Sequence, residues 1–186
     1  MKIFRGGQDG RIFVTFYIFL AKGAALWYTG EKECSEVYAM TEQVKIQKLH
    51  PDAKLPTYGS AAAAGADLYA LLDAPLVIEP GKTVLVKTGI ALALPQGTVG
   101  LIFARSGLAA KRGLAPANKV GVIDADYRGE VMVALHNHSN TEQKVSPKER
   151  IAQLVVAPFL KATFEESEIL SDTVRGSGGF GSTGRK

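Results

Sequence analysis

The sequence predicts an all-β sandwich or barrel. Three observations carry that expectation. From Val44 onward, short alternating or apolar runs rich in Val, Ile, Leu and Thr recur along the chain. Turn signals separate them at Pro75, Glu79-Pro80-Gly81, Pro95-Gln96-Gly97 and Ser146-Pro147. Only Gly107–Arg112 has helical character, and it is one or two turns long. Regular short strands between Gly/Pro punctuation build sheets packed on sheets.

Taken in order, the predicted strands are Val44–Gln47, Ala66–Tyr69, Leu76–Ile78, Thr83–Lys87, Ile90–Leu94, Val99–Ala104, Val120–Ile123, Glu130–Asn137 and Arg150–Ala157. Ala61–Ala64 precedes a glycine and an acid and reads as a loop. The chain is organised around Gly121–Val133, where Lys119–Ile123 and Glu130–Asn137 flank two acids, an aromatic, a base and a glycine. This reads as a β-hairpin with Asp124 at its mouth and Tyr127 near its tip. An acidic turn would be ordinary, because Asp and Gly favour turns. The alternative is a strand end presenting a carboxylate as general base beside a ring that packs on a flat ligand.

Residues 1–39 differ from the rest. Ile12–Ala21 is an apolar run preceded by Lys2, Arg5 and Arg11, too short to span a bilayer as a helix and interrupted by Lys22 where a small-residue cleavage site would be needed. Residues 1–39 read as an extension outside the functional domain, with Met40 as its working start. Residues 40–174 form the expected β domain, and residues 175–186 a flexible glycine-rich lid.

At 186 residues the chain fits one domain with a substantial core. Its net charge of +4 is spread without a Lys/Arg block, which argues against a nucleic-acid polymer as partner but tolerates a small polyanion. Cys34 is the only cysteine, so neither an intrachain disulfide nor a thiolate metal cluster can form. A reducing cytoplasm is the expected compartment, with no membrane association.

Four further stretches could carry chemistry. Asp67 is a lone acid inside the apolar strand of A-G-A-D-L-Y-A. It points to solvent, finds a partner or lines a site, where a carboxylate could hold waters around a magnesium ion bound to phosphates. Arg105-Ser106-Gly107 joins a strand to the short helix. Free backbone N–H groups there favour an anion, Arg105 adds a fork suited to phosphate, and Ser106 reads both as a hydroxyl donor and as the N-cap of an ordinary helix start. Gln153 is an amide inside the apolar strand R-I-A-Q-L-V, where a ligand, another chain or the backbone could satisfy it.

The last stretch is R-G-S-G-G-F-G-S-T-G, residues 175–184. It formally contains G-x-G-x-x-G but lacks the strand and helix a dinucleotide site requires, and Ser182 stands where a Walker A lysine belongs. A flexible polar tail is the plain reading. A lid is the other: Phe180 stacks on a base while Arg175, Ser182, Thr183 and glycine N–H groups such as that of Gly181 bind phosphate.

Together, A-G-A-D-L-Y-A, A-R-S-G-L-A, G-V-I-D-A-D-Y-R-G-E, R-I-A-Q-L-V and R-G-S-G-G-F-G-S-T-G, in this order over Val44–Gly184, resemble the trimeric deoxyuridine triphosphatase (dUTPase) family. The resemblance implies a distorted jelly-roll subunit and a homotrimer whose active sites each draw on all three chains. It implies hydrolysis of dUTP to dUMP and pyrophosphate with Mg2+. Asp124 matches the general base that deprotonates the attacking water, and Tyr127 the residue that packs under the deoxyribose and leaves no room for a ribose 2′-hydroxyl. Asn118, Val122, Ile123 and Met132 fall where the family forms its uracil pocket. Arg105, Ser106, Gly107 and Gln153 match phosphate-contacting positions, Phe180 the stacking aromatic, and Arg175 a phosphate ligand. Asp67 matches an acid near the metal's water shell.

Two departures are visible. Ala104 replaces the proline usual before R-S-G, and Lys148-Glu149 stand where Gly-Asp is common. Two alternatives remain at this point. A dCTP deaminase would share the fold, but such enzymes resemble R-S-S-L-A-R at the helix junction, where this chain has Gly107. A nucleotide-sensing module would use ligand-driven ordering of the tail to regulate a partner.

Overall fold

The computed structural model describes residues 19–20, 24–25 and 43–179. The chain divides into two units, Met1–Glu42 and Gln43–Lys186. In the first, β1 (Phe19–Leu20) pairs antiparallel with β2 (Ala24–Ala25). Most of the Ile12–Ala21 run lies outside the described residues.

The second unit is all-β with one short helix, as the strand spacing predicts. A five-stranded sheet has the order β10-β8-β13-β5-β4, with β4 Thr57–Tyr58, β5 Ala66–Tyr69, β8 Thr98–Phe103, β10 Gly121–Ile123 and β13 Arg150–Pro158. A four-stranded sheet has the order β3-β7-β11-β9, with β3 Lys45–Lys48, β7 Thr83–Ala93, β9 Leu114–Pro116 and β11 Glu130–Asn137. β6 (Leu76–Ile78) and β12 (Gln143–Val145) form a separate pair. All described pairings are antiparallel. One apolar core joins the layers: Leu68, Ile102 and Leu154 from the first sheet, Val86, Ile90, Val133 and Leu135 from the second, and Ile78 and Val145 from the small pair. β11 alternates half-buried and buried residues along its whole length, the signature of a strand with one face in the core.

Two strands predicted as separate, Thr83–Lys87 and Ile90–Leu94, are one continuous β7. Gly89 lies inside it at φ +70°, and a Cβ there would meet Leu71 Cδ2 at 2.7 Å and Ala53 Cβ at 2.8 Å. Only glycine fits that conformation and that space. The resulting kink coincides with a register shift in β11 between Glu130 and Met132, so pairing continues through it. The short β4, β9 and β12 were not expected. β9 ends in Pro116, which disguises a strand in sequence but is tolerated here because β9 is a sheet edge.

The helix α1 (Ser106–Arg112) begins one residue earlier than expected and corrects one detail. Its N-cap is Arg105, in an extended conformation and without a side-chain cap bond, so Ser106 is the first helical residue rather than the cap. Its end is well specified. Lys111 and Arg112 occupy the last turn, and Gly113 caps it at φ 67° with its N–H directed to Ala109 O. Arg112 then ties the helix to the β12–β13 connection, donating to Glu149 Oε1 at 2.5 Å, Gln143 Oε1 at 3.2 Å and Lys144 O.

The Lys148-Glu149 departure is thereby half explained. Glu149 receives Arg112 and, through Oε2, the Ser146 N–H at 2.8 Å. Lys148 has no such compensation: it sits at φ 61°, a conformation that favours glycine. Lys148→Gly is therefore expected to raise unfolding stability by about 0.5–1 kcal/mol, net of the added unfolded-state entropy. Urea denaturation of the two proteins checks this, and an unchanged midpoint would contradict it.

Candidate active site

The 121–133 stretch is not a hairpin. β10 pairs with β8, whereas β11 pairs with β7 along one edge and β9 along part of the other. The intervening turn, closed by Tyr127 N–H to Asp124 O at 3.1 Å, carries the chain from one sheet to the other. The reason is competition for edges. β7 presents a long complementary partner to β11, and β9 covers its Leu135–Asn137 end, while Gly121 lies close against Ile102 of β8. β10 and β11 consequently splay apart.

A cleft of about 260 Å³ opens between them. Asn118, Val122, Ile123, Asp124, Tyr127 and Met132, the residues singled out from sequence, all line it. Leu85, Ile102, Gly121, Glu130 and Val131 complete the wall. Asp124 is exposed at the rim, and Tyr127 is 44% exposed. The Tyr127 hydroxyl donates to Glu130 O at 3.1 Å. Beneath, Arg128 Nη1 donates to Ala125 O at 2.7 Å and Tyr127 O at 2.8 Å, which stiffens the turn.

A second cluster centres on Asp67. It faces neither solvent nor an empty pocket: only 3% exposed, it accepts from Arg105 Nε at 2.7 Å and Arg150 Nη1 at 3.1 Å, with Gln153 Nε2 at 3.5 Å. Strand register creates this convergence. Asp67 of β5 lies opposite Gln153 of β13, and Gln153 lies opposite Phe103 of β8, two residues before Arg105. A buried carboxylate demands such partners, and here the cations it holds include the predicted phosphate ligand. Gly65 adds a platform, since a Cβ there would press on Gln153 Cβ at 3.2 Å. Ser106 and Gly107 follow directly at the start of α1, where a Cβ on Gly107 would meet nothing within 4 Å.

Arg150, Gly65, Gly129 and Glu130 escaped the sequence reading. Gly129 and Glu130 lie inside a quoted motif, and Arg150 opens another, so position within the motifs was the available signal. Arg175 is exposed and donates to Gly178 O at 2.9 Å in its own tail, joining neither cluster. Phe180, Gly181, Ser182 and Thr183 lie outside the described residues.

The two clusters stand apart. Ile123 pairs with Gly100 in β8, and Arg105, two residues past the end of that strand, lies five residues beyond Gly100, about 17 Å at an extended rise of ~3.3 Å per residue. Arg105 is moreover drawn toward β5, two strands further across the sheet. The rim carboxylate and the guanidinium corner of one chain therefore face different places.

Fold and site define a class: an antiparallel β sandwich with an apolar cleft between β10 and β11 and a carboxylate-ordered cation cluster where β5, β13 and the β8–α1 junction meet. Comparison with known proteins makes it particular. The dUTPase family model matches residues 51–184. Deoxyuridine 5'-triphosphate nucleotidohydrolase of Syntrophotalea carbinolica is 49% identical over 144 residues, covering 77% of this chain and 98% of that protein. Its counterpart in Desulfitobacterium hafniense is 51% identical over 145 residues, covering 76% and 96%. Among solved structures, Staphylococcus bacteriophage 80alpha dUTPase with dUpNHpp superposes with a TM-score of 0.70 at 27% identity, covering 77% of this chain and 99% of that one. This chain belongs to the dUTPase family.

Gly107 offers a direct test of the corner. A helical glycine without a packing role costs about 0.5–1 kcal/mol relative to alanine. Gly107→Ala is expected to raise thermal stability of the free protein and to weaken triphosphate binding, because the added methyl occupies the open approach. Calorimetric titration with a non-hydrolysable nucleotide, alongside a melting curve, measures both. Equal affinity in the two proteins would remove Gly107 from the phosphate site.

Proposed function

We propose that the chain hydrolyses dUTP to dUMP and pyrophosphate in active sites shared among three identical copies, each a distorted jelly-roll subunit. The observation that supports the shared site is the separation of Asp124 from Arg105, which follow opposite ends of the β8–β10 pairing while Arg105 is held on Asp67 of β5. The cleft points the same way. At about 260 Å³ it is smaller than the roughly 300–1,000 Å³ typical of complete small-molecule pockets, so it suits a base and part of a sugar.

In this reading uracil enters between β10 and β11. Backbone groups on the splayed edges pair with its acceptor–donor–acceptor face, and cytosine, with a different pattern, leaves buried groups unpaired, at a cost of roughly 10⁴-fold in specificity. Asn118, Val122, Ile123 and Met132 shape the pocket, and Tyr127 lies under the deoxyribose. Asp124 takes a proton from a water whose oxygen attacks the α-phosphorus. The bond from that phosphorus to the bridging oxygen breaks, and pyrophosphate departs with the electron pair. A second copy contributes Arg105, Ser106, Gly107 and Gln153 to the phosphates. A third contributes Arg175, Phe180, Gly181, Ser182 and Thr183 as a closing lid. Beyond Pro158 the described chain has no strand or helix and exposes Leu160, Phe164, Ile169, Leu170 and Val174, which supports an arm that packs on a neighbouring copy.

Mg2+ fits the donor set as a substrate-borne ion. No cluster of three or more His, Cys, Asp or Glu able to hold a metal occurs among the described residues, and magnesium commonly binds through substrate phosphates and waters. Asp67 uses three of its roughly four lone-pair sites on Arg105, Arg150 and Gln153, leaving one for a metal-bound water. When bound, the ion would neutralise charge on the departing pyrophosphate.

The role of the reaction is to keep uracil out of DNA and to supply dUMP for dTMP synthesis, in the cytoplasm. No helix among the described residues is long and apolar enough to cross a membrane. We assign the activity to residues 40–174 with the 175–186 lid, residues 1–39 being an extension; the boundary between units at Glu42/Gln43 supports this. Met40–Lys186 is expected to retain full turnover, and loss of folding on that truncation would refute the assignment.

Asp124→Asn is expected to lower turnover by about 10²–10⁴-fold while leaving nucleotide binding largely intact. Pyrophosphate release from dUTP, dCTP and UTP, with ammonia measured for dCTP, checks activity and substrate together. Complementation tests the shared site. Asp124→Asn and Arg105→Ala subunits, each inactive alone, should regain activity at about a quarter of sites when co-refolded in equal amounts, as expected for heterologous three-fold contacts. Absence of any recovery would place both groups within one chain's site and sink the proposal.

A further inference from the structure

The cleft contains a device that the roles assigned above leave unexplained. Gly129 lies directly against the Tyr127 side chain: a Cβ there would fall 2.6 Å from Tyr127 Cζ and closer still to its hydroxyl. No atom larger than hydrogen can stand at position 129 while the ring keeps its place. The backbone itself does not require glycine, since Gly129 is absent from the residues with positive φ. The ring, by contrast, is 44% exposed and has somewhere to go. A side chain at 129 would therefore move the tyrosine rather than break the fold.

Glu130 continues the same device. Its carbonyl accepts from the Tyr127 hydroxyl at 3.1 Å, while its side chain reaches the other way, where Oε1 accepts from Gly89 N–H at 2.8 Å. Gly89 is the kinked residue of β7, held by Leu71 and Ala53 with no room for a side chain. Beside it, Thr88 Oγ1 donates to Val131 O at 2.5 Å. The ring is thus linked through Glu130 to the kink of β7 at Gly89.

We infer that Gly129 and Glu130 are positioning residues for sugar discrimination: together they hold the Tyr127 ring at the height that admits a deoxyribose and leaves no room for a ribose 2′-hydroxyl. This rests on the reading of Tyr127 as the surface under the sugar. A ring raised by a side chain at 129, or shifted with the Glu130 carbonyl once the Glu130 side chain no longer holds Gly89 N–H, would no longer present the same wall, and discrimination would fall further than stability.

The test is the ratio of kcat/KM for dUTP to that for UTP in Gly129→Ala, Glu130→Ala, Glu130→Gln and Tyr127→Ala, with melting curves for each. Tyr127→Ala sets the ratio without the ring. Gly129→Ala and Glu130→Ala should each lower the ratio by about tenfold or more, in the range that one misplaced small group commands. Glu130→Gln should keep it, because the amide oxygen still accepts from Gly89 N–H. An unchanged ratio in either alanine variant, with a collapsed ratio in Tyr127→Ala, overturns the inference alone, as does equal loss in Glu130→Gln and Glu130→Ala. An unchanged ratio in Tyr127→Ala overturns the sugar-contact reading and this inference with it. Should Gly129→Ala fail to fold, the Glu130 pair carries the test.

Discussion

The structure depends on the parting of two strands that are neighbours in sequence. β11 is committed to β7 and β9, and β10 to β8, so the turn between them bridges two sheets instead of closing a hairpin. Backbone polar groups left without a ladder partner are costly when buried, and a cleft is where a ligand can satisfy them. Every cleft residue takes its position from that divergence. Asp124 and Tyr127 ride on the turn, Val122 and Ile123 on one edge, and Met132 on the other.

A second constraint acts at the far end of β8. Asp67 is an acid enclosed by strands, and enclosure is tolerable only because two guanidinium groups and an amide converge on it. The same contacts fix the orientations of the Arg105 and Gln153 side chains. Preorganised donors of this kind stabilise charge without reorganisation during a reaction. Asp67 sits on β5 and Asp124 just beyond β10, strands that β8 and β13 separate in the sheet order.

Glycines do unusual work around both clusters. Gly89 permits a kink that no other residue fits, Gly65 lets the Gln153 side chain lie flat, and Gly129 lets the Tyr127 ring settle on the backbone. Lys148 shows the opposite case, a long side chain held in a conformation where glycine would be at ease. Its neighbour Glu149 secures α1 through Arg112, so the segment is held in spite of the local strain.

The sequence by itself determined the fold class and most strands to within a residue or two, because alternation and turn chemistry are local properties, whereas Asn118, Val122, Ile123 and Met132 of the cleft were named only through the resemblance of the motifs to a known family. The five ordered motifs also sufficed to suggest the family. Strand pairing was beyond it. Lys119–Ile123 and Glu130–Asn137 look like hairpin partners when read side by side, and only the competing edges of β7, β8 and β9 show otherwise. Asp67 read as an outward residue, a partnered charge or a site acid, and which of these holds is decided by residues 38 to 86 positions away. Arg150 and Gly65 stayed silent for the same reason: what they touch is decided by register and packing across the sheets, which no window of sequence contains.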